Sequence, residues 1–179
     1  MNHNFRKAMF KVGETVYYPG HGICTIKTIF DRGSSSGEGP TYILKPINAK
    51  FKFQRLVLSY KKAMTLSVHH IIAKEDVPKI YEVLKRPPND FSHNRIKGYL
   101  EIKEKLNSGD LIKIAEVARD LEALHDILSM LLKIRLMRKA RKILTEEIAN
   151  VENISKEEVE SSINKTLLIV RDERENEKS

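Results

Sequence analysis

Tryptophan is absent from this 179-residue chain, aromatic residues amount to only 7%, and the single cysteine is Cys24. One thiol closes no intramolecular disulfide and builds no thiolate zinc cage, so the fold has to hold by packing. Long apolar runs are missing as well. The longest, such as Leu167 to Val170, fall far short of the ~20 residues that cross a bilayer. From Met1 through Asn4, Arg6 and Lys7 there is no apolar core of a secretory signal, so a cytoplasmic location with no membrane contact is expected. Also lacking are a phosphate-cradling glycine loop, a paired-histidine metal helix and a nucleophile elbow. The expectation is therefore no enzyme, no catalytic residue, no metal and no cofactor.

Charge is what the chain has in quantity: 31% of residues are charged beside 41% apolar, with a net charge of +8. The first 70 residues hold 11 Lys and Arg against 3 Asp and Glu, residues 71–154 hold 16 against 14, and residues 155–179 hold 5 against 7. All the net excess thus sits in the first third. Clustered cations suit a partner that is a polyanion or an acidic protein face, because they raise encounter rates and release counterions from phosphate. A soluble basic surface is the plain alternative.

Two periods divide the chain. From Phe10 to Val68, short β-branched and aromatic stretches alternate with turn residues, which predicts strands at Lys11 to Tyr18, Gly22 to Asp31, Thr41 to Pro46, Lys50 to Val57 and Lys62 to Val68. Five strands in so short a span predict a small barrel with accessible edges. Phe51, Phe53, Arg55 and Val57 alternate with Lys52 and Gln54, as in a ribbon covered on one face. Gly33 to Gly37, with three serines, predict a mobile loop. After Val68 the period is helical. Asp76 caps a helix with Val77, Ile80, Tyr81 and Leu84 on one stripe, stopped by Arg86, Pro87 and Pro88. After a polar linker over 89–94, a second helix carries Ile96, Leu100, Ile102 and Leu106, and Asp110 caps a third with Ile114, Val117, Ala118, Leu121, His125 and Leu128. A fourth spans roughly Met130 to Val151, and a Ser155–Glu158 capping box opens a fifth that ends near Arg171. The resulting class is α+β, with domains at 1–70 and 71–171 and a charged flexible tail at 172–179.

Few residues suggest chemistry. His21 and Cys24 stand three apart across a turn, but Cys24 falls on a strand face that would be buried, which favours an inert core thiol. Adjacent His69 and His70 would point to opposite faces and cannot chelate one ion, so a linker role is expected. His125 is read as a core or boundary histidine. The strongest cluster is Lys133, Arg135, Arg138, Lys139, Arg141 and Lys142, six cations in ten residues with no acid among them. Arg135, Arg138, Lys139 and Lys142 share one helix face, opposite Leu136, Ala140 and Ile143. Like charges so placed cost helix stability unless an anion lies nearby. DNA phosphate contact is the preferred interpretation, and a solvated face the alternative. A second candidate is the helix start at Asn94, Arg95 and Lys97, next to His93, where amides and a long guanidinium can meet phosphate or a minor groove. An ordinary helix start is its alternative.

Several fragments in order resemble the CarD/CdnL family of bacterial RNA polymerase-binding transcription regulators. They are FKVGETVYYPGHG (Phe10 to Gly22), YILK (Tyr42 to Lys45), VLKRP (Val83 to Pro87), YLEIKEKLNSGD (Tyr99 to Asp110), IAEVARDL (Ile114 to Leu121) and ARKIL (Ala140 to Leu144). The resemblance covers roughly residues 10 to 152. It implies a Tudor/SH3-like β-barrel that binds the RNA polymerase β subunit. It implies as well a compact C-terminal helical bundle that contacts promoter DNA at the upstream edge of the bubble and alters open-complex stability. Arg32 matches a family arginine of the second strand, and Gln54, with Arg55 beside it, falls at the family arginine of the fourth; these three are the expected polymerase contacts. The family's wedge tryptophan is replaced by Arg95, after a matching Asn94, so phosphate attraction stands where an indole would stack. The implied protein is a monomeric adaptor. Two other interpretations stay open: a free-standing basic nucleic-acid binder, and a polymerase adaptor whose helical domain binds another protein. A similarity to the polymerase-binding module of transcription-repair coupling factor brings no helicase motif with it.

Overall fold

The computed structural model describes residues 9–30, 39–47, 54–89, 95–123 and 130–177. They fall into two units, Met1–Ile71 and Ile72–Ser179. The first is built on β1 (Thr15–Tyr18), β2 (Gly22–Phe30), β3 (Thr41–Pro46), β4 (Leu56–Ser59), a short helix α1 (Tyr60–Thr65) and β5 (His69–His70). These strands form one antiparallel sheet in the order β4-β3-β2-β1-β5. Gly20, at φ +87°, turns β1 into β2, and a bulge between Ile26 and Thr28 bends β2.

Alternation sends Val16 and Tyr18, Cys24 and Ile26, Tyr42 and Leu44, and Leu58 to one face, where Phe10, Ala63 and Val68 complete a core. Phe10 meets Tyr42 edge to face at 5.4 Å, and the Tyr42 hydroxyl accepts from the Met9 amide at 3.0 Å. Leu58 is fully buried, so truncating it to Ala removes about 2–5 kcal/mol.

Four expectations need correction here. The stretch from Lys62 to Val68 is not a strand. Ser59 accepts from the Lys62 amide and caps α1, whose Tyr-Lys-Lys-Ala-Met sequence can lay Ala63 on the core without β-branched crowding. His69 and His70 are not a linker but the fifth strand, paired with Tyr17 and Val16. In β4 the covered face holds Leu58, while Val57 is exposed and so is Arg55 just before it. The odd-numbered side is therefore the solvent side, and Phe51, Lys52 and Phe53 lie outside the described residues. Since β4 and β5 end the strand order and do not pair with each other, the sheet is open rather than a closed barrel. The Gly33 to Gly37 loop is likewise outside the described residues.

The second unit is helical. A single 3-10 turn (Lys74–Asp76) leads into α2 (Val77–Lys85), followed by α3 (Arg95–Asn107), α4 (Leu111–Ala123), α5 (Met130–Glu152) and α6 (Lys156–Glu177). Helix α4 is the axis of the packing. It buries Ile114, Ala115, Val117, Ala118 and Leu121 and touches α2, α3, α5 and α6. Its N-terminus is capped by Asp110, which accepts from the Ile112 amide at 3.0 Å. The Ser155–Glu158 box forms reciprocally: Ser155 N–H donates to Glu158 at 2.9 Å and Glu158 N–H to Ser155 at 3.2 Å.

Asp76 precedes α2 but makes no side-chain cap. Its carboxylate takes Lys79 Nζ instead, at 2.6 Å. Helix α6 continues to Glu177, past Arg171. In α3, Ile102 and Leu106 are buried whereas Ile96 and Leu100 stay exposed. His125 and Leu128 lie outside the described residues. Among the described residues, no helix is long and apolar enough to cross a membrane.

Candidate nucleic-acid interface

At 3.6 residues per turn, Arg135, Arg138, Lys139 and Lys142 fall within roughly 100° of one face of α5. All four are exposed, while Ala140 and Ile143 on the other side are buried and Leu136 is half-buried. The cations therefore point outward because the opposite stripe is needed by the core. Arg135 to Lys142 spans about 10 Å of axis at 1.5 Å per residue. Lys139 and Arg141 of the cluster make contacts that simple solvated charges do not. Lys139 Nζ donates to Asn107 Oδ1 at 2.9 Å, and crowding against the end of α3 desolvates its ammonium, which lowers the pKa.

Arg141 sits about 100° around the helix from the ladder and turns away from it. Its Nη1 donates to Asn164 Oδ1 at 2.6 Å and its Nη2 to Glu122 at 2.8 Å. It joins α5 to α4 and α6, and this structural engagement separates it from the neighbours with which the sequence groups it. Beside the ladder, Met130, Ile134 and Met137 floor an open groove of about 940 Å³ whose far wall includes Glu157 and Glu160. Arg138 and Lys142 of the ladder line this groove too, with Lys133, Arg141 and Lys156, but Glu122, Glu146, Glu157 and Glu160 nearly balance them and make the groove a poorer seat for a polyanion. The exposed ridge is the better one.

The second candidate patch opens α3. Lys97 is exposed, about 15 Å along the helix from Asn107. Hence α3 links the two patches: its C-terminal end touches the ladder through Lys139, and its N-terminal end carries Arg95 and Lys97. Asn94 and His93 lie outside the described residues, as does the side chain of Arg95. Helix α3 is seated on α4 by Ile102 and Leu106 and by Lys105, whose Nζ reaches Glu116 at 2.9 Å and Glu101 at 3.0 Å. Burial pulls the Lys105 pKa down, but the two glutamates outweigh it and the net shift is upward.

One constellation escapes sequence inspection. Asp120, wholly buried on α4, accepts from Arg119 Nε (2.9 Å) and Nη2 (2.7 Å) and, across 31 residues, from the Asn89 amide (3.0 Å) and Asn89 Nδ2 (2.9 Å). The only sequence signal was an adjacent Arg-Asp pair in α4, a helix that also carries Lys113, Glu116 and Glu122.

In the first unit, Gln54 is half-buried and Arg55 exposed ahead of β4, while Arg32 lies outside the described residues. On the solvent face Val57 pairs with Ile43, and Ile43 with Thr28; Phe30 follows two residues on from Thr28. Val57 is 64% and Phe30 52% exposed, which leaves an apolar strip running across the sheet from β4 to β2; among the described residues the outer edge of β4 has no strand partner. Cys24 is inert by contrast. It is buried, its thiol donates to the Gly22 carbonyl at 3.6 Å, and burial pushes its pKa up to about 11. His21 packs instead on the Tyr18 ring at 4.6 Å. Among the described residues, no three His, Cys, Asp or Glu converge as a metal site would require.

Residues 79–164 match the family model described as the CarD C-terminal domain. That stretch runs from within α2 to within α6 and includes the ladder, Lys97 and the Asn89–Asp120 contact. CarD proteins are transcription regulators that interact with RNA polymerase. Through this domain the match supports membership of the CarD/CdnL family.

Proposed function

We propose that this protein is a non-enzymatic, monomeric cytoplasmic adaptor that docks on the RNA polymerase β subunit and holds promoter DNA near the upstream edge of the bubble, changing open-complex stability. The observation that carries it is the outward ladder of Arg135, Arg138, Lys139 and Lys142 on a CarD C-terminal domain. Cations spread over about 10 Å match roughly three phosphate steps of one strand. Phosphate contact holds register without reading bases. Arg95, with Lys97 and Asn94, supplies the second contact, and Arg141 serves the fold. The Tudor-like first unit docks by the edge of β4, where strand addition uses backbone hydrogen bonds and Val57 and Arg55, with Gln54, flank the added strand; Arg32 is proposed as a further polymerase contact. Tethering does most of the energetic work: docking raises the local concentration of the helical domain to about millimolar, so weak DNA affinity suffices.

Promoter-melting kinetics with purified polymerase test this. Wild-type protein changes the bubble lifetime, Arg95→Ala diminishes the change, and Arg95→Trp lengthens the lifetime further because an indole stacks where a guanidinium does not. An unchanged lifetime on adding wild-type protein removes the open-complex role. Val57→Glu, on the solvent face of β4, abolishes capture of the β subunit while leaving the sheet folded. Undiminished capture by this variant rules out docking at β4.

A further inference from the structure

We infer that Asn89 and Asp120 are positioning residues that orient the start of α3 toward DNA; this rests on the DNA contact proposed for Arg95 and Lys97. A buried ion pair is rarely the most stable filling for its volume, because desolvating both charges offsets most of their attraction, and apolar replacements are often neutral or better. Aspartate is also a poor residue for a helix interior. Yet α4 keeps Asp120 fully buried, with Arg119 as its only charged hydrogen-bond partner among the described residues. What the arrangement supplies is direction. Arg119 holds the carboxylate, and its two oxygens are then presented to the backbone amide and the side-chain amide of Asn89, a surface residue.

Among the described residues, Asn89 is the last point at which the chain, having left α2, is fixed before α3. Helix α2 closes at Arg86, whose amide donates to the Val83 carbonyl at 3.2 Å. Pro87 and Pro88 then stiffen the path. Six residues beyond Asn89, α3 begins, and it is seated on α4 by Ile102, Leu106 and Lys105. The same helix therefore holds the chain at Asn89 and again along α3. The cations at the start of α3 are placed by α4, not by their own helix alone.

A double-mutant cycle reads this coupling. Promoter-duplex affinity is measured for wild type, Asn89→Asp, Arg95→Ala/Lys97→Ala and the combination, in the full chain. Asn89→Asp exchanges an amide donor for a second carboxylate at hydrogen-bond distance from Asp120, and it weakens DNA binding about tenfold. The milder Asn89→Ala, which keeps the backbone amide, weakens it roughly threefold. In the Arg95→Ala/Lys97→Ala background the same changes cost less than about twofold, because the groups they orient are gone. An equal loss in both backgrounds, or no loss in either, overturns the positioning role. If Arg95→Ala/Lys97→Ala itself binds like wild type, the α3 contact proposed above fails, and this inference falls with it for a separately visible reason.

Discussion

Removing the ladder without disturbing the helix separates a phosphate-binding ridge from a merely solvated one. Replacing Arg135, Arg138 and Lys142 by Gln keeps helix propensity nearly constant and touches no buried group, since all three are exposed. Each phosphate contact contributes about 0.9 to the slope of log affinity against log salt, so losing three flattens it by about 2.7. Between about 50 and 200 mM salt that amounts to roughly a 40-fold smaller loss of affinity for the variant than for wild type. Stability moves the other way. The substitutions abolish five like-charge pairs at helical spacing, Arg135 with Arg138 and Lys139, Lys142 with Arg138 and Lys139, and Arg138 with Arg141, and lose one opposite pair, Lys142 with Glu146, a net of four. At about 0.2–0.5 kcal/mol each, the helical unit gains about 1–2 kcal/mol at low salt. That raises its melting temperature by roughly 4–8 °C per kcal/mol, and added salt erases the gain. Fluorescence anisotropy on promoter duplex and thermal unfolding at two salt concentrations provide the measurements. An unchanged salt slope refutes phosphate contact by α5, and an unchanged melting temperature at low salt refutes the electrostatic cost assigned to the ladder.

Arg141→Gln behaves oppositely: it loses the bonds to Glu122 and Asn164, destabilises the helical unit by about 1.5–3 kcal/mol in denaturant unfolding, and leaves the salt slope unchanged. The Glu14 carboxyl is held below its ordinary 4.5 by the Lys11 amide and His70, and that of Glu158 by the Ser155 amide and hydroxyl. Their contributions are therefore complete above pH 4.5 and disappear as pH falls through the depressed values. Glu14→Gln and Glu158→Gln should each flatten the acid limb of the unfolding curve of the unit that carries it. With its pKa near 11, Cys24 is about 0.1% thiolate at pH 8. A thiol reagent should leave the native protein unlabelled over minutes and label it at once in denaturant; rapid native labelling would overturn the burial of Cys24.

Local chemistry carries far in this chain. The stripe of α4, the Asp110 cap, the Ser155–Glu158 box and the outward placement of the ladder follow from spacing alone, because helix period and capping are properties of a few consecutive residues. β1 to β3 were legible for the same reason: alternation puts Tyr42 and Leu44 on one side wherever the strand lies. Three things had to await tertiary structure. Tyr60 to Thr65 has no decisive period, and it became helical through the Ser59 cap and the need to seat Ala63 on the core. Arg141 looks like its neighbours in sequence, and only the approach of Glu122 and Asn164 from two other helices sets it apart. The bond between Asn89 and Asp120 joins positions 31 residues apart, a distance that neither periodicity nor propensity can encode. The amino-acid order thus determined which faces are apolar and which are cationic. The packing of helices around α4 decided which cations stay exposed on α5 and which, like Arg141, are engaged in joining helices.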